Sequence, residues 1–300
     1  MRILVSGSSG LVGSALTRVS RGEGDEVLRL VRRPRKADDE VPWDPSSDTA
    51  PDLAAIDGVD AVVHLGGAGI GDHRWTESYR REIRDSRVRS TALLATALAR
   101  LDRPPHTFLS GSAVGYYGDG GDAELDENSP AGKDFLAGIA RDWEAAAAPA
   151  TDAGIRTVWL RSGIVLSTRG GALAKVLPLF RAGLGVRLGG GRQYISWIAR
   201  PDHVSALRFL LKADDVSGAV NITAPNPVTN AEYTREIAAA VRRPAWFAAP
   251  APALRVALGR FAETVVTGQR VLPARLLEAG FTFAYPRLDT ALRALFDSQS

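Results

Sequence analysis

Short, continuously apolar runs alternate with longer stretches whose apolar residues recur at helical spacing, and this rhythm governs the first half of the chain. Arg2 to Ser6 (RILVS) is one such run. It leads into Gly7-Ser8-Ser9-Gly10-Leu11-Val12-Gly13, after which Leu11, Val12, Ala15, Leu16 and Val19 follow helical spacing. The pattern predicts strand, glycine turn, helix. Further strands are predicted at Glu26 to Val31, Asp60 to Leu65, Thr107 to Ser110 and Ile155 to Leu160. Runs this uniformly apolar suit a parallel sheet covered on both faces. Between them, Arg74 to Ala99 is the longest helical pattern, with Trp75, Tyr79 and Ile83 four residues apart, and Lys133 to Ala148 is an alanine-rich helix. Pro34 to Gly58 and Asp119 to Gly132 read as loop, the first with room for one short helix. The alternation predicts an α/β fold with a Rossmann-like, doubly wound parallel sheet.

Beyond Arg161 the rhythm changes. Gly170-Gly171 opens a helix through Arg181, glycines at 183, 185 and 189 to 191 lead into Gln193 to Ala199 (QYISWIA), and Ala219 to Thr223 is one more strand. A capped helix starts at Asn230, and the tail from Ala251 to Phe296 is helical, broken by Pro273 and Pro286. The expectation is a Rossmann-like domain over 1–220, with part of 170–200 contributing to a substrate lobe, and a smaller, mainly helical C-terminal domain over 221–300.

Composition narrows the classes. With 300 residues, 45% of them hydrophobic, the chain can bury a large core. It has no cysteine, so disulfides, thiolate metal sites and cysteine nucleophiles are excluded. Its four histidines (His64, His73, His106, His203) lack metal-ligand spacing. The first strand begins at residue 2 and no apolar run reaches membrane-spanning length, so a cytoplasmic protein without a membrane partner is expected. The net charge of +3 comes without a basic run or basic-aromatic stripe, so nucleic acid is not expected as a partner.

The candidate chemistry lies at the strand ends. A dinucleotide pyrophosphate needs Gly7 for a tight turn out of the strand, Gly10 for close backbone approach and Gly13 for close helix packing. The N–H groups around Ser9, Leu11 and Val12, at the positive end of the helix, would face the phosphates. An NAD site places an acid after the second strand to hold the ribose 2′-OH. Here Arg32 and Arg33 stand there, which favours the 2′-phosphate of NADP(H), the alternative being two solvated arginines. Gly66-Gly67-Ala68-Gly69 either lets a cofactor lie on the backbone or is a flexible turn. Ser110 to Gly118, rich in Ser and Tyr, falls at the ligand end of the sheet.

These blocks, with RWTESYRREIRDSR (74–87), GSAVGYYG (111–118), FLAGIARDWEAAA (135–147), RSGIVLSTRGGAL (161–173), NITAPNPVTNAEY (221–233) and GQRVLPARLLEAGFTFAYP (268–286), resemble the extended short-chain dehydrogenase/reductase superfamily. More narrowly, the chain resembles its atypical epimerase family protein branch, an epimerase-like domain followed by a small C-terminal domain of unknown function. The resemblance implies that Leu65 and Gly66 contact NADP(H) after the third strand, that Glu82 and Arg87 reach toward it, and that Val165 lines the nicotinamide side. Superfamily enzymes use Ser with YxxxK, the lysine charge tuning a tyrosine that moves the proton accompanying hydride transfer. Ser112 stands at the serine position, but Phe135 and Ile139 replace the tyrosine and lysine. Ala199 and Pro201 likewise replace the histidine and the first acid that the branch carries after its Trp-Ile pair.

Two functions follow. One is an NADP(H)-dependent oxidoreductase or epimerase acting on a small carbonyl or sugar-nucleotide-like substrate, with Ser112 and Tyr116 or Tyr117 as catalytic candidates and Lys133 or Arg161 supplying charge. In the other, the tyrosines only shape the pocket, and the protein is a non-catalytic NADP(H)-binding redox sensor or regulator.

Overall fold

The computed structural model describes residues 1–297. Seven parallel strands form the central sheet: β1 (Arg2–Ser6), β2 (Glu26–Val31), β3 (Glu40–Pro42), β4 (Ala61–His64), β5 (Thr107–Ala113), β6 (Arg156–Ser162) and β7 (Gly218–Ile222), in spatial order 7-6-5-4-1-2-3. The order reverses between β1 and β4. That reversal opens a crevice at the carboxyl ends of the strands, where the chain departs in opposite directions to the two faces of the sheet. Ile3, Leu4, Val5, Val62, Val63, Phe108 and Leu109 are fully buried, as strands covered on both sides require.

Among the described residues eight helices are eight or more residues long: α1 (Leu11–Gly22), α2 (Glu77–Leu98), α3 (Phe135–Ala145), α4 (Gly171–Arg181), α5 (Arg200–Lys212), α6 (Asn230–Ala240), α7 (Ala251–Leu258) and α8 (Leu288–Asp297). On one face of the sheet, Leu16 of α1 and Val204, Leu207 and Leu210 of α5 pack on Val5, Val63 and Leu160. On the other, Leu94 and Leu98 of α2 pack on Leu4, Val62 and Phe108. Arg208 of α5 also pairs with Glu23 and Asp25, just past the end of α1, which locks these two helices together.

The structure departs from the sequence expectation for two strands here: β3 forms inside the stretch 34–58 expected as loop, paired in register on Arg29 to Val31, and β5 ends later than expected. Strand β5 does not stop at Ser110 but runs on to Ala113, because Gly111, Ser112 and Ala113 keep pairing with Leu160, Arg161 and Ser162. Gly111 makes this possible: a Cβ there would stand 2.6 Å from the Trp143 ring. Ser112 therefore belongs to the sheet rather than to the loop. Strand β7 runs through the expected domain boundary at 220/221 to Ile222, held in register on Val158 to Ser162.

Past β7 the chain is mainly helical. Helix α6 begins with a capping box in which Thr229 and Glu232 satisfy each other's backbone N–H. It packs with α8, α4 and Trp197 around a second core that includes Leu173, Tyr233, Ile237, Leu288 and Leu292. Short parallel strands tie this lobe back to the sheet domain, Glu124–Leu125 with Arg270–Val271 and Ile164–Leu166 with Trp197–Ala199. Among the described residues no helix is long and apolar enough to cross a membrane.

Candidate active site

The crevice is built first by backbone. Gly7 has φ +74°, and a Cβ on it would lie 2.9 Å from the Leu65 carbonyl group. A Cβ on Gly13 would lie 2.3 Å from the Gly7 oxygen. Gly10 N donates to that same oxygen at 2.9 Å, closing the turn. Helix α1 then starts at Gly10 with no side-chain cap and no acid in its first turn, so its leading N–H groups near Ser9, Leu11 and Val12 face the crevice unneutralised. This cradle fits a dinucleotide pyrophosphate, since side chains at Gly7 or Gly13 would fill or break it.

The two arginines after β2 have different fates. Arg33 chelates Glu40, with Nη1 to Oε2 at 2.8 Å and Nη2 to Oε1 at 2.6 Å. That pairing and the Lys36 N–H hold the Glu40 carboxyl down to about 2. Arg32 is exposed and has no hydrogen bond or ion pair among the described residues. Because Leu30 stands in register with Ser6, Arg32 is at the level of the glycine turn.

Behind the turn, Leu65 N donates to Ser6 O at 3.1 Å, and Gly66 sits where a Cβ would come within 2.9 Å of Ser6 Oγ. The following loop is held by α2: Ala68 N donates to Ser86 Oγ at 3.0 Å and Arg87 Nη2 donates to Ala68 O at 2.8 Å. Arg87 faces no carboxylate, and burial works against its charge. Glu82 on the same helix is exposed and unpaired among the described residues. Val165, Val12 and Leu65 are half-buried on one core cluster, which brings the strand ends after β1, β4 and β6 to the same edge.

The reaction end of the crevice is closed by a buried polar network. Ser112 Oγ donates to Glu144 Oε1 at 2.6 Å. Arg161 clamps that carboxylate from Nε at 2.8 Å and Nη2 at 2.9 Å, with both side chains almost wholly buried. Its remaining Nη1 donates to Tyr117 OH at 3.0 Å, and Tyr117 in turn donates to Asn221 Oδ1 at 2.7 Å. Burial pushes the Tyr117 phenol up to about 12. Glu127 completes the network by accepting from Asn221 N at 2.9 Å. Tyr117 is thus fixed as a structural phenol. Tyr116 is the tyrosine of this pair whose hydroxyl has no partner among the described residues, and its ring lies 3.4 Å from the Arg161 guanidinium carbon.

Where YxxxK would stand, side chains pack. Phe135 meets Trp75 edge-on at 5.3 Å and lies 4.0 Å beneath the Arg80 guanidinium, and Trp75 continues to Phe261 at 5.5 Å. Ile139 is buried with Tyr79 and Ile83. Lys133 is exposed and unpaired among the described residues, so Arg161 is the cation placed at the tyrosines. The sequence reading missed Glu144, Glu127 and Asn221. Glu144 was detectable, since it follows Ala137 and Ala140 on the buried stripe of α3, and a carboxylate there requires a partner.

Fold and crevice together define a Rossmann-type α/β protein in which packed side chains stand at the YxxxK positions. Within that class the chain belongs to the NAD dependent epimerase/dehydratase family, whose model matches residues 3–223, followed by a domain of unknown function, DUF1731, over residues 249–295. It is 46% identical to an epimerase family protein of Mycobacterium bovis, over 97% of this chain and 96% of that protein. It is 36% identical to the Homo sapiens epimerase family protein SDR39U1, over 98% of this chain and 99% of the human one. The crystal structure of that human protein (isoform 2) with NADPH is similar to this fold with a TM-score of 0.91 at 35% identity, covering 99% of each chain. A nucleoside-diphosphate sugar epimerase from Corynebacterium glutamicum matches with a TM-score of 0.81 at 37% identity, over 98% of this chain and 58% of that one.

Proposed function

We propose that this protein binds NADP(H) in the crevice and acts as an oxidoreductase or epimerase on a small carbonyl or sugar-nucleotide-like substrate, with Tyr116 donating the proton in reduction and accepting it in oxidation. The cofactor half of the proposal rests on the glycine turn, the uncapped start of α1 and the unpaired Arg32. A guanidinium in that position complements a 2′-phosphate, whereas an NAD site requires an acceptor for the ribose hydroxyl. The human relative crystallised with NADPH supports the same choice. Leu65, Gly66, Glu82, Arg87 and Val165 would complete the seat.

When bound, the cofactor supplies a hydride donor or acceptor. This chain's residues must then supply a proton in reduction or take one up in oxidation. Ser112 directs its own proton to Glu144, so we assign it as a positioning residue that fixes the carboxylate beneath Arg161. The Arg161 charge in turn fixes the Tyr116 ring. The single observation that carries the catalytic assignment is the unpartnered Tyr116 hydroxyl beside this clamp.

Absorbance of NADPH followed over a panel of aldehydes, ketones and sugar nucleotides tests the reading. Turnover that disappears in Tyr116→Phe, with NADPH affinity retained, is the expected result. Turnover equal to wild type in that variant removes Tyr116 from the chemistry. The aromatic stack of Phe135, Trp75 and Phe261 at the YxxxK position favours the second reading, a protein that binds NADP(H) without turnover and presents it to a partner. In that case NADPH binds, no panel member reacts, and partner affinity depends on cofactor occupancy.

A further inference from the structure

Three arginines from distant parts of the sequence, none of them given a role above, converge beside the glycine turn. Arg18 lies on the third turn of α1, Arg169 just before α4, and Arg200 at the first position of α5. They line one open pocket of about 500 Å³, together with Ser9 and Ser14 and the start of α4 at Gly171. No acid lines it. None of the three guanidinium groups has a hydrogen bond or ion pair among the described residues.

The usual neutralising groups are also missing or turned away. The helices α1, α4 and α5 all begin at this pocket without a side-chain cap. Asp202 is the only acid in any of their first turns, and its two oxygens accept from Ala284 N and Tyr285 N, both at 2.9 Å. The Arg208 pairs with Glu23 and Asp25, just past the far end of α1, and the packing of α5 on α1 hold these two helices side by side. Burial and the neighbouring charges of Arg169 and Arg18 both work against the charged form of Arg200, so the cluster is self-repelling as it stands. Such an arrangement is relieved by a compact, multiply charged anion.

We infer that this pocket is a binding site for the phosphate group of a small ligand, distinct from the seat of the cofactor 2′-phosphate at Arg32. Arg18 and Arg169 present planar donors from two sides, Arg200 closes the third, and the Ser9 and Ser14 hydroxyls supply uncharged donors. The site adjoins the glycine turn on the α4 and α5 side, so a phosphorylated ligand held here would lie next to the dinucleotide. The pocket shares Ser9, Gly10 and Leu11 with the dinucleotide cradle, whereas Ser14, the three arginines, Gly170 and Gly171 lie outside it, so the inference stands on the arginine cluster and is tested with NADPH present.

Calorimetric titration of the full chain with inorganic phosphate and with pyrophosphate, at matched ionic strength, tests it. One phosphate per chain is expected to bind both without NADPH and at saturating NADPH. Each of Arg18→Gln, Arg169→Gln and Arg200→Gln is expected to weaken phosphate about tenfold, the size of one lost charge-assisted contact, while NADPH affinity is unchanged. Melting temperatures of the unliganded variants should equal or exceed that of wild type, since repulsion is relieved, which separates lost binding from lost folding. Phosphate binding that vanishes at saturating NADPH would assign the pocket to the dinucleotide and overturn the inference. So would variants that bind phosphate as tightly as wild type. Failure of NADPH itself to bind would count against the cofactor reading alone.

Discussion

Ser112 and Glu144 share one short hydrogen bond, 2.6 Å from Oγ to Oε1, and it turns the serine of the site from a group facing substrate into part of a buried ion-pair assembly. Arg161 holds the other side of the carboxylate, so the three residues form a unit whose members differ in what their loss leaves behind. Arg161→Ala strands a buried Glu144 without its cation and should lower stability by about 3–5 kcal/mol. Ser112→Ala removes one hydrogen bond to a charged acceptor that keeps its arginine, a loss of about 1.5–3 kcal/mol. Urea unfolding of the two variants checks the order. Equal losses would mean that the carboxylate is not held as described.

Cofactor preference should divide between the two arginines after β2. Arg32→Ala is expected to weaken NADPH about tenfold or more and to leave NADH nearly unchanged, because only the 2′-phosphate contact is lost. Arg33→Ala should lower the melting temperature only slightly, because Glu40 loses one arginine and keeps Arg29 of β2, and should not alter the preference. Fluorescence titration with both cofactors decides. A parallel loss for NADPH and NADH in Arg32→Ala would dismiss the 2′-phosphate contact.

How much of this was legible in the sequence depends on how far apart the partners are. The sheet could be read because strands buried on both faces are apolar without interruption, and the glycine turn because its three glycines fall within seven residues of a strand end. The fate of Arg33 could not be read: its partner lies on β3, a strand of three residues, too short to show a pattern. The place of Ser112 was missed for a related reason, since Gly111 looks like a turn residue until Trp143 is seen to need the space. The Glu144 clamp and the Arg18, Arg169 and Arg200 cluster join segments up to 182 residues apart, which only the folded chain brings together.

Glycine positions in α1 should respond in opposite ways. Gly13→Ala places a methyl 2.3 Å from the Gly7 carbonyl oxygen, which is backbone and cannot move aside without opening the turn. Loss of NADPH binding with a lowered melting temperature is expected. Gly22→Ala, at the end of the same helix, meets nothing within 4 Å and should stabilise by about 0.4–1 kcal/mol through helix propensity and reduced unfolded-state entropy. Retained NADPH affinity in Gly13→Ala would show that the turn tolerates what its geometry forbids.

Acid should destabilise the fold well above the range where carboxylates titrate. His64 and His203 are buried, and burial holds each down to about 4. His64 Nε2 shares a hydrogen bond with Ser90 and His203 Nε2 with Ser162, while both Nδ1 atoms lack a partner among the described residues. Between about pH 6.5 and 4 the unfolded chain therefore binds protons that the folded chain refuses, and stability falls as pH falls. The slope is about 1.4 kcal/mol per pH unit for each histidine once its unfolded form is fully protonated. Glu127 and Asp202, raised by burial, act in the opposite sense at the acid end of this window. The clean reading is therefore the difference between variants. Urea unfolding at pH 7 and pH 5 should show a smaller loss in His203→Gln than in wild type, and a smaller loss again when His64→Gln is added. An undiminished loss in the double variant would place the acid sensitivity elsewhere.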